Sequence, residues 1–124
     1  MRTITLATLP TATEQEVFDH VANHLLTQNK QCFAKGSSKF CLYRGENNLK
    51  CAAGSLIADN EYKKKMENNS WGGLIFQGRA PSAHSELIII LQKVHDNHEP
   101  ESWREKLGKV AKMYGLKFNE GVTA

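Results

Sequence analysis

Three stretches of this chain place apolar residues at helical spacing, and only a fold that packs three helices together buries them all. In the first, Val17, Phe18, Val21, Ala22, Leu25 and Leu26 recur every three or four positions. In the second, Leu87, Ile88, Ile90, Leu91, Val94 and His95 cover a wider face, which predicts the central buried helix. In the third, Trp103, Leu107, Val110, Ala111 and Tyr114 share one side. Thr13-Glu14-Gln15-Glu16 has the capping-box pattern, in which hydroxyl and carboxylate each satisfy an orphan backbone N–H. That predicts a helix over Glu14–Asn29, fraying toward Phe33 before Gly36. Ser82 is the expected cap of the second helix. Pro100 suits the first turn of the third, and Gly115-Leu116 has the pattern of a Schellman stop. The short link Asp96 to Glu99 predicts that the last two helices pack antiparallel.

The segments between them carry weaker signals. Residues 1–8 alternate Thr with Ile and Leu, as a short strand or an extended arm does. Phe40-Cys41-Leu42-Tyr43 and Leu49-Lys50-Cys51-Ala52 flank the turn formers Arg44 to Asn48, which reads as a hairpin or a tight ordered loop. A short buried helix from Cys51 to Ile57 is the alternative. Asp59 suits the N-cap of a brief helix through Tyr62 and Met66, ended by Asn68-Asn69. Trp71-Gly72-Gly73 and Gly78 to Pro81 read as loop. The expected fold class is α+β, mainly helical. Three principal helices and a short one pack around a small hairpin or ordered central loop, in a single domain over residues 1–124.

Composition narrows the function classes. The chain has 124 residues, 40% hydrophobic and 23% charged, enough for one core without metal or disulfide staples. A formal net charge of +3 permits an anionic partner without demanding nucleic acid. No run approaches the roughly 20 apolar residues of a membrane span. The first residues lack the apolar stretch of a secretory signal, and three cysteines, an odd count, fit reduced thiols, so a cytoplasmic setting is expected.

The most specific pattern begins at Cys41-Leu42-Tyr43-Arg44-Gly45. It continues through Leu49-Lys50-Cys51-Ala52-Ala53-Gly54-Ser55-Leu56-Ile57-Ala58-Asp59 and Tyr62, and returns at Leu91-Gln92-x-x-His95-Asp96 and Trp103. Over Val17 to Leu116 it resembles an uncharacterised family of small bacterial, plasmid and phage proteins with the motif C-x-Y-R-G…L-K-C-A-x-G-x-L-I-x-D. Ser55 is a departure, since that family often has Cys there, and this weakens a metal or paired-thiol role at that position. The resemblance implies a phage or mobile-element setting, hence a host cytoplasm, and supplies no activity.

Three readings of function follow. In the leading one the chain is a non-enzymatic binding protein. Tyr43, Arg44, Lys50, Asp59 and Tyr62, polar and aromatic residues on connecting segments, engage a host protein, a protein–nucleic-acid complex or a small anionic ligand. Arg44 supplies a bidentate fork for phosphate or carboxylate. With the phage setting, inhibition of a bacterial defence system (an anti-CRISPR-like role) is the implied consequence. The alternative is a thiol-dependent hydrolase or transferase. Cys51 at a helix start would gain thiolate character from the dipole, and His95 would serve as base. Against it, Cys51 lies among small apolar residues, and adjacent His95 and Asp96 point about 100° apart on a helix. The third is a structural homodimer through Trp71, Leu74, Ile75 and Phe76.

Neither metal nor cofactor is expected. Cys32, Cys41 and Cys51 could join a histidine around zinc, but no C-x-x-C pair exists. His20 and His24, a turn apart with Glu16 a turn earlier, have clamp spacing, yet a solvated face explains them more simply. His84 reads as a polar surface residue. Lys63-Lys64-Lys65 is flanked by Glu61 and Glu67, and Lys106, Lys109 and Lys112 share a polar helix side. Direct nucleic-acid binding therefore has charge behind it but no motif, and Trp71-Gly72-Gly73 lacks the spacing and Lys of a P-loop.

Overall fold

The capping box at Thr13 forms as its sequence requires. In a computed structural model that describes residues 3–34 and 41–118, Glu16 N–H donates to the Thr13 hydroxyl at 3.1 Å and Thr13 N–H donates to the Glu16 carboxylate at 2.9 Å. Helix α1 then runs over Glu14–Gln28 and stops at Asn29, which turns left-handed (φ 51°) and returns its N–H to Leu25 O. It does not fray toward Phe33. Gly36 and Phe40, invoked above as a stop and a strand start, lie outside the described residues.

Helix α2, Trp71–Phe76, corrects the sequence reading of Trp71-Gly72-Gly73 as loop. Two glycines each lower intrinsic helix propensity by about 1 kcal/mol. Burial of Trp71 and Leu74 overrides that deficit, and the Ser70 hydroxyl caps the start by accepting from Gly73 N–H. Helix α3, Ser85–Asn97, is capped not at Ser82 but at His84, which sits left-handed at φ 60°. The cause is tertiary: His84 is half-buried and its Nε2–H donates to Ala12 O at 2.7 Å, tying the helix start to the N-terminal segment. Helix α4, Pro100–Tyr114, begins and ends as read, with Gly115 left-handed and Leu116 N–H donating to Ala111 O at 2.7 Å.

The architecture is mainly helical, with four α-helices among the described residues. Helix α1 packs on α3 and α4, α4 folds back on α3 across the two-residue link His98-Glu99, and α2 covers part of α3. The β contribution shrinks to one isolated antiparallel bridge, Phe33 with Cys41, so the hairpin reading gives way to an ordered loop. Gly45 N–H donates to Leu49 O at 2.8 Å around a 3-10 turn, Glu46–Asn48, in which Asn47 and Asn48 are left-handed. A buried 3-10 turn, Ala53–Leu56, follows and packs against α1. Asp59 caps nothing: Ala58 O accepts from Glu61 and Tyr62 N–H, and only a 3-10 turn, Lys64–Met66, comes after it.

Residues 3–8 form no strand, because the groups a strand would pair are already taken. The Glu61 carboxylate accepts Leu6 N–H and Ala7 N–H, each at 2.9 Å, and Ile4 N–H donates to His20 Nδ1. The buried residues form one cluster that includes Phe18, Leu25, Leu91, Trp103 and Leu107. The central loop crosses itself tightly at Gly54, where a Cβ would lie 2.3 Å from Tyr43 O. No helix of the described residues is long and apolar enough to cross a membrane.

Candidate functional site

Four of the five residues read from sequence as a binding surface come together, and they do so around Glu67. Its carboxylate accepts Tyr43 N–H at 3.0 Å, Arg44 N–H at 3.1 Å and the Tyr62 hydroxyl at 2.7 Å. Arg44 lies over the Tyr62 ring, 5.2 Å from its centroid, and its guanidinium donates to the Asp59 carboxylate and to Ile57 O. The fork expected to seize an outside carboxylate therefore holds an inside one. Arg44 keeps the Asp59 carboxyl below the usual carboxylate range, although Asp59 is exposed. Burial, and then the bond to Glu67, pushes the Tyr62 hydroxyl up to about 12. Tyr43 is buried, and its hydroxyl donates to Asn69 O at 2.6 Å. These groups brace the loop, and their polar atoms are largely committed to each other.

Lys50 stands apart from that knot. Its backbone is pinned to α1: Lys50 N–H donates to Gln28 Oε1, and Lys50 O accepts from Gln28 Nε2 and His24 Nε2. Its half-buried side chain has no ion-pair partner among the described residues. It lines a groove of about 770 Å³ between α1 and the loop, with Asn23, His24, Thr27, Asn47 and Asp59 among the walls. The two α1 histidines are not the solvated face that their spacing suggested. His20 is fully committed, Nδ1 accepting from Ile4 N–H and Nε2–H donating to Ser55 O at 2.8 Å. His24 is half-buried, and burial, only partly offset by its bond to Lys50 O, lowers its pKa below 6.5. With both nitrogens engaged, His20 has none left to share a metal with His24.

Cys41 and Cys51, ten positions apart in sequence, are brought close enough for their thiols to interact. That interaction, and then burial, pushes the Cys41 thiol up, and burial pushes Cys32 up to about 12. Cys51 is completely buried and precedes only a 3-10 turn, so no α-helix begins there to favour a thiolate. His95 is completely buried too, between Phe33 and Trp103. Its Nε2 accepts Cys32 N–H at 2.8 Å, which requires the Nδ1–H tautomer, and Nδ1–H donates to Asp96 at 2.7 Å. Asp96 thus orients His95, contrary to the 100° argument, and the ring keeps no lone pair for a thiol proton. The same tautomer bears on metal binding. Ligand atoms of Cys41, His95 and Asp96 lie within 4.8 Å of one another. A ligating imidazole, however, donates its second N–H outward, and here that nitrogen faces a donor. The cluster does not fit a metal.

Gln92, which stands in the sequence motif without a role, and Trp71, which the sequence reading places in a dimer patch, take other positions in the structure. Gln92 accepts Ala53 N–H at 2.8 Å and donates to Asp96 and to Cys41 Sγ, linking α3 to the loop. Trp71 lines a second, half-open cavity of about 530 Å³ with Cys41, Tyr43, Ile89, Gln92 and Asp96. Its indole N–H is buried without an acceptor among the described residues. The proposed dimer patch is reduced accordingly: Trp71 and Leu74 are buried, Ile75 is partly covered, and Phe76 alone of the four is strongly exposed. Lys63, Lys64 and Lys65 are exposed, and Lys109 pairs with Glu105 at 3.4 Å. Comparisons with protein-family models, with curated proteins and with solved structures find no match.

Proposed function

We propose that this chain is a non-catalytic binding protein that takes an anionic group of its partner in the groove beside Lys50. The observation that carries this reading is the Lys50 ammonium, which makes no ion pair among the described residues although the Asp59 carboxylate lies near it, set on a loop whose backbone is fixed to α1 by three hydrogen bonds. A loop whose backbone is ordered before binding adds no loop-ordering cost to the binding step. The exposed Asn47, Asn48 and Thr27 supply hydrogen-bonding groups around it. The Glu67 knot serves this role indirectly, by tying Tyr43 and Arg44 of the loop to Tyr62 and so bracing the loop from its other side in the free protein. The partner class is a host protein or protein–nucleic-acid complex, and in a phage setting the consequence is inhibition of a bacterial defence system.

Titration of nitrogen-15-labelled protein with inorganic phosphate and with a triglutamate peptide tests the site. The expected result is saturable movement of the Thr27 and Asn47–Lys50 amides, abolished in Lys50→Gln. Unmoved amides overturn the reading. Plating of a targeted phage on a host with active CRISPR interference tests the consequence. Expression of the chain raises plating and Lys50→Glu cancels the rise; plating that never rises removes the anti-defence role.

A further inference from the structure

The cavity between the central loop, α2 and α3 lies away from the Lys50 groove and shares no lining residue with it. Its volume of about 530 Å³ falls within the range of small-molecule sites. Tyr43, Trp71 and Ile89 give it an apolar lining that includes two aromatic side chains. The polar groups of Tyr43 and Gln92 are spent inside the protein, on Asn69 O, on Ala53 N–H and on Cys41 and Asp96. Besides the exposed Asn68 amide, three groups carry the argument. Asp96 is partly exposed: its Oδ1 accepts from His95 and Gln92, the Cys41 thiol lies against the same carboxylate, and no hydrogen bond to Oδ2 is seen among the described residues. Lys93 is exposed at the rim with no partner among the described residues. Trp71 is 3% exposed, and its N–H lacks an acceptor, at a cost of about 1–3 kcal/mol that a bound acceptor recovers when the indole edge turns to meet it.

An apolar lining with two aromatic side chains, an N–H donor, a carboxylate acceptor and a rim cation suit a planar heteroaromatic that carries a ring acceptor and an N–H donor such as an amino group. We infer that this cavity binds an amino-substituted nucleobase, its amine on Asp96 Oδ2 and a ring nitrogen on the Trp71 N–H. Lys93 then stands where a nucleotide phosphate emerges. A 9-substituted purine without a ring N–H offers both contacts only when it carries an amine, which separates 9-methyladenine from 9-methylpurine. The site is independent of the Lys50 reading, and either can fail without the other.

The test follows the Trp71 indole N–H resonance, with that of Trp103, already bonded to His98 O, as internal control. The probes are 9-methyladenine and 9-methylpurine, identical but for the amine. The Trp71 resonance is expected to move with 9-methyladenine while that of Trp103 stays, and 9-methylpurine is expected to bind at least about tenfold more weakly, the worth of a hydrogen bond to a charged group. Asp96→Asn keeps an oxygen for His95 but turns an amide donor toward the ligand amine. It is expected to reduce 9-methyladenine binding by a similar factor and leave 9-methylpurine unchanged. Tighter binding of AMP than of 9-methyladenine, lost in Lys93→Gln, supports a free nucleotide; tighter binding of a tetra-adenylate than of AMP supports a base presented on a strand. A Trp71 resonance unmoved at saturating 9-methyladenine, with a cross-peak to water only, overturns the site, and equal affinity for the two probes overturns the assignment of Asp96.

Discussion

His95 and Asp96, adjacent on α3, are bonded side chain to side chain, Nδ1 to Oδ1 at 2.7 Å, while Cys32 N–H occupies the far nitrogen of the same ring at 2.8 Å. The imidazole is therefore a cross-brace between α3 and the segment after α1, with its tautomer set by a backbone amide. His95→Leu keeps comparable volume between Phe33 and Trp103 but orphans Cys32 N–H. A buried unpaired donor together with the lost bond costs about 2–3 kcal/mol. Urea denaturation of the variant is expected to show a lower midpoint with unchanged slope. A midpoint equal to that of the wild type would mean that the brace contributes nothing.

The thiol pair behaves oppositely to an activated nucleophile. Burial holds Cys32 up to about 12, and contact with Cys51 followed by burial raises Cys41, so neither offers thiolate at neutral pH. Cys51 is shielded outright. Iodoacetamide is expected to label all three cysteines slowly in the folded protein and rapidly in urea. Diamide, which takes up two hydrogens from two thiols to form a disulfide and a hydrazine, is expected to join Cys41 to Cys51 because their thiols are neighbours in the folded chain. Peptide mapping by mass spectrometry reads the linkage. Fast, selective alkylation of Cys51 in the native protein would restore the enzymatic reading.

The contacts that hold the central loop were largely illegible beforehand, and the reason is physical. Thr13-Glu16, Pro100 and Gly115 announce helix ends because their partners lie within one turn. Glu61 and Glu67 read only as acidic flanks of a lysine run, yet Glu61 accepts Leu6 N–H 55 positions away and Glu67 gathers Tyr43, Arg44 and Tyr62. A carboxylate bonding distant backbone leaves no periodic trace. Helix α2 was missed because its glycines argue locally for a turn and only the core around Trp71 and Leu74 argues otherwise. For His95 and Asp96 the helical wheel gave the Cβ directions correctly, but an aspartate carboxylate and a ring Nδ1 bridge that divergence with their own rotations.

Steric tightness separates two substitutions that composition would rank alike. Gly54→Ala places a methyl 2.3 Å from Tyr43 O, a backbone atom that cannot swing aside. The loop must part from itself there, at about 3 kcal/mol, the upper part of the usual overpacking range. Leu91→Ala, in a completely buried position, removes contacts instead and costs about 2–5 kcal/mol. Exposed Lys64→Ala is expected to change stability by less than about 0.5 kcal/mol. Hydrogen exchange distinguishes the first two: Gly54→Ala accelerates amides of the 41–59 loop, whereas Leu91→Ala accelerates α3 and α4 as well. Uniform acceleration in both would place Gly54 in the global core rather than at a local crossing.

His24 gives stability an acid-side dependence. Burial depresses its pKa in the folded protein, and the bond to Lys50 O restores only part of the shift, whereas the unfolded chain titrates near the unperturbed 6.5. Below that value the unfolded state therefore binds more protons than the folded one, so the folded state is disfavoured as pH falls and keeps its full His24 contribution only above it. His24→Gln retains an N–H for Lys50 O but cannot titrate. Between about pH 5 and 7, above the main carboxylate range, wild-type urea midpoints are expected to fall with acidity more steeply than those of the variant. Parallel profiles would mean that His24 takes up its proton equally readily in both states, and that the groove face of α1 is wetter than its geometry implies.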